Sequence, residues 1–249
     1  MLELSLPTLS VIFVALALGG VLKGATGAGV PVIAVPVIAA FFDVRLAVAL
    51  IAVPNFFTNC WQLWRFRAAH LSGVFTAVFA LSGALGAVAG TFLLATLPVE
   101  PLMLLVALSV TAYIALRVTV PEFRFDLMLA RRFVWPAGLL AGLLQGAAGI
   151  SAPVSVSFLN ALRLSRPAFI ATISAFFAAM TVAQIPSLAV AGFMTPTILI
   201  LGVIAVLPVF AFMPVGGWLA RRMSPRGFDM LVLSFLGILA AKLYYDALF

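Results

Sequence analysis

The sequence predicts an all-α integral membrane protein, a single transmembrane domain over residues 1–249 built from two inverted repeats of about five hydrophobic segments each. Three observations predict it: the composition, a motif written twice, and the distribution of arginines. Hydrophobic residues make up 65% of the chain and charged residues 8%, with a mean hydropathy of +1.28. A soluble domain needs more charge to cover its surface, whereas a hydrocarbon core about 30 Å thick accepts this composition. Soluble globular and disordered proteins are therefore excluded.

The duplicated motif combines glycines with a proline. Residues 19–34 read GGVLKGATGAGVPVIA, and residues 141–156 read AGLLQGAAGISAPVSV. At an offset of about 122 residues, the matched pairs are Gly24 and Gly146, Gly27 and Gly149, Pro31 and Pro153, Lys23 and Gln145, Asn59 and Thr181, and Gln62 and Gln184. We interpret this ordered series as a duplication, with repeat 1 at about 1–120 and repeat 2 at about 130–249.

Each half divides into five apolar segments. They run over 7–22, 30–42, 46–64, 71–97 and 101–117, and then over 134–145, 152–162, 167–190, 196–220 and 227–246. A full span needs about 20 apolar residues, and the first two segments of each half fall short. We expect each such pair to form a broken, re-entrant helical hairpin whose glycine-rich turn, 24–29 or 146–149, reaches toward the midplane. Because five is odd, the second half runs in the opposite direction, as in many secondary transporters.

The arginines indicate the orientation of the segments. If the chain changes side of the membrane with each of the ten segments, Arg45 and Lys242 lie on the same side as both termini, and Lys23 lies at a hairpin tip. The positive-inside rule makes the other side cytoplasmic, so we expect a multi-pass bacterial inner-membrane protein with periplasmic termini. This bias accounts for the net charge of +7 without a nucleic-acid partner. The arginines on the cytoplasmic side are Arg65, Arg67, Arg117, Arg124, Arg131, Arg132, Arg163, Arg166, Arg221, Arg222 and Arg226.

The two glycine turns predict a binding site for an anion. Pro31 and Pro153 stand where the following half-helices should start, since proline is favoured in a first helical turn. A helix N-terminus offers free N–H groups and a partial positive charge, and glycine lets a ligand approach the backbone. Two such N-termini facing one cavity would bind an anion. The predicted contributors at the turns are Lys23, Gly24, Thr26, Gly27, Gln145, Gly146, Gly149 and Ser151.

The third segment of each half adds a polar stripe. Asn55, Asn59 and Gln62 are spaced to share one helical face, and Ser174, Thr181 and Gln184 repeat this pattern in the second half. Uncharged donors suit an oxyanion that must bind and then leave. Three alternatives stay open: the glycines permit close helix packing, the stripes supply interhelical hydrogen bonds, and Lys23 extends to the membrane interface.

The residues argue against an enzyme. The chain has one histidine, His70, one cysteine, Cys60, and seven acidic residues, most of them at segment ends. They form no convincing acid–base pair, nucleophile–base pair or metal-ligand set. The chain contains no phosphate-binding GxxxxGK[ST] loop, which argues against ATP as the energy source. We expect no cofactor and no metal.

The segments KGATGAGVP and QGAAGISAP, with their flanking helices, resemble the TauE/SafE family, also called the toluene-sulfonate uptake permease family. The resemblance extends over nearly the whole chain. It implies transmembrane movement of sulfite, sulfonates and related anions, mostly as export. It also implies that the repeat-signature positions are Gly24, Gly27, Pro31, Gly146, Gly149 and Pro153. The second copy departs from the glycine-rich pattern at Ile150-Ser151-Ala152.

These observations predict a secondary transporter for a small sulfur-containing anion such as sulfite or an organosulfonate. We expect it to be an exporter that works by alternating access around a midplane site. Its partners would be the anionic substrate and the lipid bilayer. A passive anion channel and a non-transporting membrane partner protein remain alternatives, and a coupling proton or sodium ion and a homo-oligomer stay open.

Overall fold

The computed structural model describes residues 5–69, 71, 73–119, 124 and 126–249, so His70 lies outside the described part. The described residues form α-helices, one short 3-10 helix (Arg67–Ala69) and no strand. Eight of the helices are long and apolar enough to cross a membrane, which confirms the multi-pass all-α class. The helices are α1 (Leu6–Thr26), α2 (Val30–Phe41), α3 (Val44–Arg65), α4 (Gly73–Thr96), α5 (Val99–Thr119), α6 (Leu127–Ala148), α7 (Ala152–Ala161), α8 (Arg166–Val190), α9 (Pro196–Arg222) and α10 (Pro225–Leu248).

The first helix of each half is longer than the sequence predicted. Helices α1 and α6 have 21 and 22 residues, whereas α2 and α7 have only 12 and 10. The expectation that both segments of each pair fall short is therefore wrong for α1 and α6. The cause is that Gly24 and Gly146 continue their helices instead of breaking them. Both glycines serve close helix packing, since their missing Cβ atoms make room for the backbone of another helix.

Helices α1 and α6 end in the same way. Gly27 has φ of 85° and donates its N–H to the carbonyl oxygen of Lys23, and Gly149 has φ of 70° and donates to that of Gln145. Glycine favours this left-handed conformation because it has no Cβ. Pro31 lies in the first turn of α2 and Pro153 in that of α7, as predicted.

The helix packing repeats when the two halves are exchanged. Helix α1 packs along α9 as α6 packs along α4, and α3 contacts α9 as α8 contacts α4. Likewise, α2 packs on α10 as α7 packs on α5. Two pairs, α3 with α8 and α5 with α10, join equivalent helices of the two halves. These pairs correspond between the halves, whereas the contacts of α5 with α6, α2 and α3 have no comparable counterparts among the described residues.

Both glycine turns are recessed from the ends of the neighbouring long helices. Gly24 packs against Met213, beyond which the parallel helix α9 continues nine residues and α1 only two, a difference of about 10 Å at 1.5 Å per residue. Gly146 packs against Thr91, beyond which α4 continues five residues and α6 only two, a difference of about 4.5 Å. Each short helix therefore starts below the surface of the bundle.

Candidate functional site

A cavity of about 730 Å³ lies at the recessed turn between α1 and α2. The ends of α5, α7, α8, α9 and α10 surround it, at the end of the bundle where α9 finishes with Arg221 and Arg222. Arg45 lies at the opposite end, where its guanidinium donates to the carbonyl oxygens of Leu94 and Leu97. The polar lining of the cavity includes Thr26, Arg117, Asn160, Arg163, Arg166 and Asp229.

The charged lining is mainly positive, with three arginines and one aspartate. Nη2 of Arg117 lies 3.0 and 3.1 Å from the two carboxylate oxygens of Asp229, an ion pair that joins α5 to α10. The side chains of this pair are 38% and 35% exposed. Arg166 forms no ion pair with a described carboxylate at the distances that define this one, and the lining holds three arginines against one aspartate. The lining therefore keeps a net positive charge that favours an anion.

Arg166 also holds the end of α1. Its Nη2 donates to the carbonyl oxygen of Ala25 at 3.0 Å, and that of Gly24 lies at 3.5 Å. A cation is favourable there because the last carbonyls of a helix carry partial negative charge. One turn further along α8, Ile170 packs against Gly27 so closely that a Cβ on Gly27 would lie 2.5 Å from its Cγ1. The first turns of α8 thus fix the first glycine turn in place.

Arg163 has an unusual backbone conformation. Its φ is 51°, and it is the only described non-glycine residue with positive φ. Its N–H donates to the carbonyl oxygen of Asn160, which tightens the chain just after the ten-residue helix α7. Left-handed backbone costs a non-glycine residue about 1–2 kcal/mol. The strained turn places Asn160 and Arg163 in the wall of the cavity.

Lys23 lies behind the glycine turn between α1 and α2 and is 0% exposed. Its Nζ donates to Oδ1 of Asn59 at 2.7 Å. Nδ2 of Asn59 donates to the backbone oxygen and to Oδ1 of Asn55, at 2.7 and 2.8 Å. Lys23 therefore points into the bundle rather than to the membrane interface, and the structure joins it to two residues of the predicted polar stripe.

The second half holds a separate buried polar group around the other turn. Ser151 Oγ donates to Oε1 of Gln145 at 3.2 Å, and Ser155 Oγ donates to the carbonyl oxygen of Ser151 at 2.9 Å. Nε2 of Gln184 donates to the carbonyl oxygen of Gln145 at 3.2 Å. This contact joins α6 to α8, the helices that correspond to α1 and α3 in the first half. All four residues are at most 4% exposed.

The remaining residues of the stripes connect helices of the bundle. Ser174 Oγ donates to Oε1 of Gln62 at 3.2 Å, which joins α8 to α3. Thr181 donates to the carbonyl oxygen of Phe177 in its own helix. Every buried side-chain nitrogen and oxygen atom in the described residues has a hydrogen-bond partner. In this conformation the stripes stabilise the packing, as the interhelical alternative anticipates.

The structure brings together only part of the predicted site. Of the predicted residues, Thr26 alone lines the cavity, and the second turn does not reach it. A Cβ on Gly24 would lie 1.8 Å from the carbonyl oxygen of Met213, and one on Gly146 would lie 2.3 Å from that of Ala87. These two glycines therefore face neighbouring helices. The expectation that both turns face one shared cavity does not describe this conformation.

Sequence reasoning missed the cavity wall, because it treated Arg163 and Arg166 only as determinants of topology. One signal was present in the sequence. The segment after Pro153 is too short to reach the membrane surface, so the polar residues at its end, Asn160 and Arg163, have to lie in a recess. Arg117 could not be found in this way, since it ends a segment of full length.

The fold and the cavity define a multi-pass helical membrane protein with a positively charged recess, which is the architecture of a membrane transport protein. The chain belongs to the sulfite exporter TauE/SafE family, whose model matches residues 11–243. The family is one of membrane transporters, in agreement with a protein that is not an enzyme. No curated protein and no solved structure matches the chain.

Proposed function

We propose that this protein is a secondary transporter that exports a small sulfur-containing anion, such as sulfite or an organosulfonate, by alternating access. The observation that carries the proposal is the cavity at the recessed turn, with three arginines and one aspartate in its wall. The TauE/SafE family match supports a sulfur oxyanion as the substrate. Guanidinium groups suit such an anion because they present planar sets of N–H donors to paired oxygens.

Arg163, Arg166, Asn160 and Thr26 form the proposed loading site. Arg166 would exchange its carbonyl partner on Ala25 for the anion, and Thr26 would likewise exchange its carbonyl partner on Leu22. Asn160 adds an uncharged donor. The predicted binding residues behind the turn, Lys23 and Asn59, would contact the anion only after the cavity closes. This order agrees with their complete burial in the present conformation.

The exchange of packing partners between the halves supports an inverted repeat with two re-entrant hairpins. Under this proposal, the present conformation is open on the arginine-rich side. If repeat 1 adopted the present conformation of repeat 2, and repeat 2 that of repeat 1, the arginine-rich side would close and a cavity would open at the second turn. The buried group of Gln145, Ser151 and Gln184, together with Gly149 and Thr181, would then become the site. The positive-inside rule makes the arginine-rich side cytoplasmic.

The two ends of this pathway differ in polarity, which supports export. At the offset of about 122 residues, the counterparts of Asn160, Arg163 and Arg166 are Ile38, Phe41 and Val44. The cavity of the opposite conformation would therefore lack the arginines. An anion would be attracted on the cytoplasmic side and held more weakly on the periplasmic side.

The test is counterflow in proteoliposomes. Purified protein would be reconstituted with sulfite, sulfate, sulfoacetate, taurine or chloride inside, and uptake of labelled anion would be measured. Saturable counterflow of sulfite or a sulfonate is the expected result. Flux without stimulation from the opposite side would instead indicate a channel, and absence of flux from folded protein would indicate a non-transporting partner.

A further inference from the structure

Lys23 is a fully buried cationic residue that the loading site does not use. It lies in the last turn of α1, next to the Gly27 cap, and does not line the cavity. Its Nζ donates a hydrogen bond to Oδ1 of Asn59 among the described residues. A protonated lysine has three N–H donors, so an amide oxygen alone leaves most of its charge unbalanced.

The helices packed around Lys23 offer it no negative charge. Helix α2 contains no ionisable residue, and those of α9 are Arg221 and Arg222 at its end. Helix α3 contributes Asn55 and Asn59 beside Lys23, with Arg45, Cys60 and Arg65 elsewhere along it. The only ionisable residue of α8, Arg166, holds the carbonyl of Ala25 two positions further on. No described carboxylate lies within salt-bridge distance of Nζ.

Burying a protonated lysine at such a place costs free energy as long as no anion is bound beside it. An anion bound beside the turn would supply the missing negative charge and stabilise the protonated form. After the anion leaves, the neutral amine can remain bound to Asn59, since it still has N–H groups to donate. Lysine can alternate in this way, whereas arginine keeps its proton.

We propose that Lys23 carries a proton that crosses the membrane together with the anion. When the cavity closes and brings the anion to Lys23, a hydronium ion enclosed with the anion would transfer its proton to the Nζ lone pair, leaving water and an ammonium group. On the other side the N–H bond would break, and the proton would pass to water as the anion departs. The counterpart of Lys23 is Gln145, which has no proton to exchange. The site therefore accounts for one proton per transport cycle.

This inference rests on the proposed anion transport, and the test separates the two. Wild-type protein would be reconstituted with a fluorescent pH indicator inside the vesicles and with the membrane potential clamped by potassium and valinomycin. Labelled methanesulfonate, which carries no proton near neutral pH, and labelled sulfite would be added in parallel. We expect methanesulfonate entry to acidify the lumen by about one proton per anion, since one lysine carries one proton.

The matched variant is Lys23→Gln, which installs the residue that the second half already uses at this position. Because glutamine cannot take up a proton, we expect the proton-to-anion ratio for methanesulfonate to fall at least about fivefold. Counterflow should continue with a raised half-saturation concentration. With sulfite, protons carried by the substrate itself are common to both proteins, so the difference in ratio isolates Lys23.

The outcomes are distinct. Failure of wild-type counterflow with both anions would overturn the transport proposal itself. Net uptake of methanesulfonate without acidification of the lumen would overturn the role of Lys23 alone. A proton-to-sulfite ratio that Lys23→Gln leaves unchanged would overturn it as well. If Lys23→Gln does not fold, Lys23→Met provides the second neutral variant, and the wild-type methanesulfonate ratio still decides the matter.

Discussion

At the scale of single residues, the four glycines of the duplicated motif serve two purposes. Gly27 and Gly149 end helices at positive φ, whereas Gly24 and Gly146 lie inside helices and face the backbone of a neighbour. The distinction decides what an added methyl group would do. At a helix end it strains the backbone, and at a helix interface it separates two helices.

Gly27→Ala should lower the thermal stability of the protein more than Gly192→Ala does. Both glycines have positive φ, at 85° and 80°, so both variants incur backbone strain of about 1–2 kcal/mol. Only at Gly27 would the new Cβ meet a side chain, Ile170, while nothing lies within 4 Å at Gly192. Unfolding midpoints of the purified variants in detergent measure the difference. Ile170→Ala should lower the midpoint less in the Gly27→Ala background than in the wild type, because the truncation also relieves the contact with the new Cβ. Equal midpoints for Gly27→Ala and Gly192→Ala would contradict the packing explanation.

Arg163→Gln should raise the half-saturation concentration for the anion about three- to tenfold, because it removes a charge from the cavity wall. Arg221→Gln is the matched control, since Arg221 lies at the same end of the bundle but does not line the cavity. Counterflow kinetics at low and high salt would show the effect, which salt should reduce. An equal change in both variants would instead indicate a general surface-charge effect.

At the scale of helices, the two closest pairs, α1 with α9 and α4 with α6, bring backbones into contact through glycine. Gly20 and Gly24 of α1 lie on Val209 and Met213 of α9. In α4, Gly86 and Gly90 lie on α6, whose Gly142 and Gly146 return the contact. Because lipid tails are as apolar as the side chains, close packing rather than hydrophobicity holds such pairs together.

Gly24→Ala and Gly146→Ala should each reduce folded yield and thermal stability, with an overpacking cost of about 1–3 kcal/mol. Gly237→Ala serves as the control. It changes a glycine inside α10 with nothing within 4 Å of the added Cβ, and helix propensity predicts a neutral or slightly stabilising effect. Size-exclusion profiles and unfolding midpoints would be compared. If Gly24→Ala behaved like Gly237→Ala, the contact between α1 and α9 would not be as close as described.

At the scale of the whole molecule, the two halves share their main helix contacts but differ in charge. One recessed turn opens to an arginine-lined cavity, while the other is buried with Ser151 and Gln145. Alternating access predicts that the two turns exchange their exposure during transport. The single native cysteine, Cys60, makes this exchange measurable with thiol reagents.

In a Cys60→Ala background, Thr26→Cys should react with a membrane-impermeant thiol reagent added to the arginine-rich side. Ser151→Cys should react slowly from either side at rest, because Ser151 is 2% exposed. A substrate gradient that favours the opposite conformation should speed the reaction at Ser151→Cys from the other side and slow it at Thr26→Cys. Simultaneous reactivity of both positions would favour a channel.

The local features of this protein could be predicted from its sequence because they depend on few neighbouring residues. The hydropathy of a segment depends only on its own residues, so the sequence alone predicted a membrane protein. Positive φ at Gly27 and Gly149 and helix starts at Pro31 and Pro153 follow from the chemistry of glycine and proline. The duplicated motif indicated the family, and the family model that matches residues 11–243 confirms it.

The tertiary structure alone decided what these residues contact. The sequence predicted Gly24 in a turn, whereas the structure places it inside a helix against Met213. The sequence predicted Lys23 as an anion-binding residue, with an interfacial position as the alternative, and only the structure shows its hydrogen bond to Asn59, 36 residues away. Arg163 and Arg166 read as topology signals until the short helix α7 draws them into a cavity. Contacts between residues distant in the sequence set burial and pairing. A pattern read along the chain carries local conformation but not those contacts.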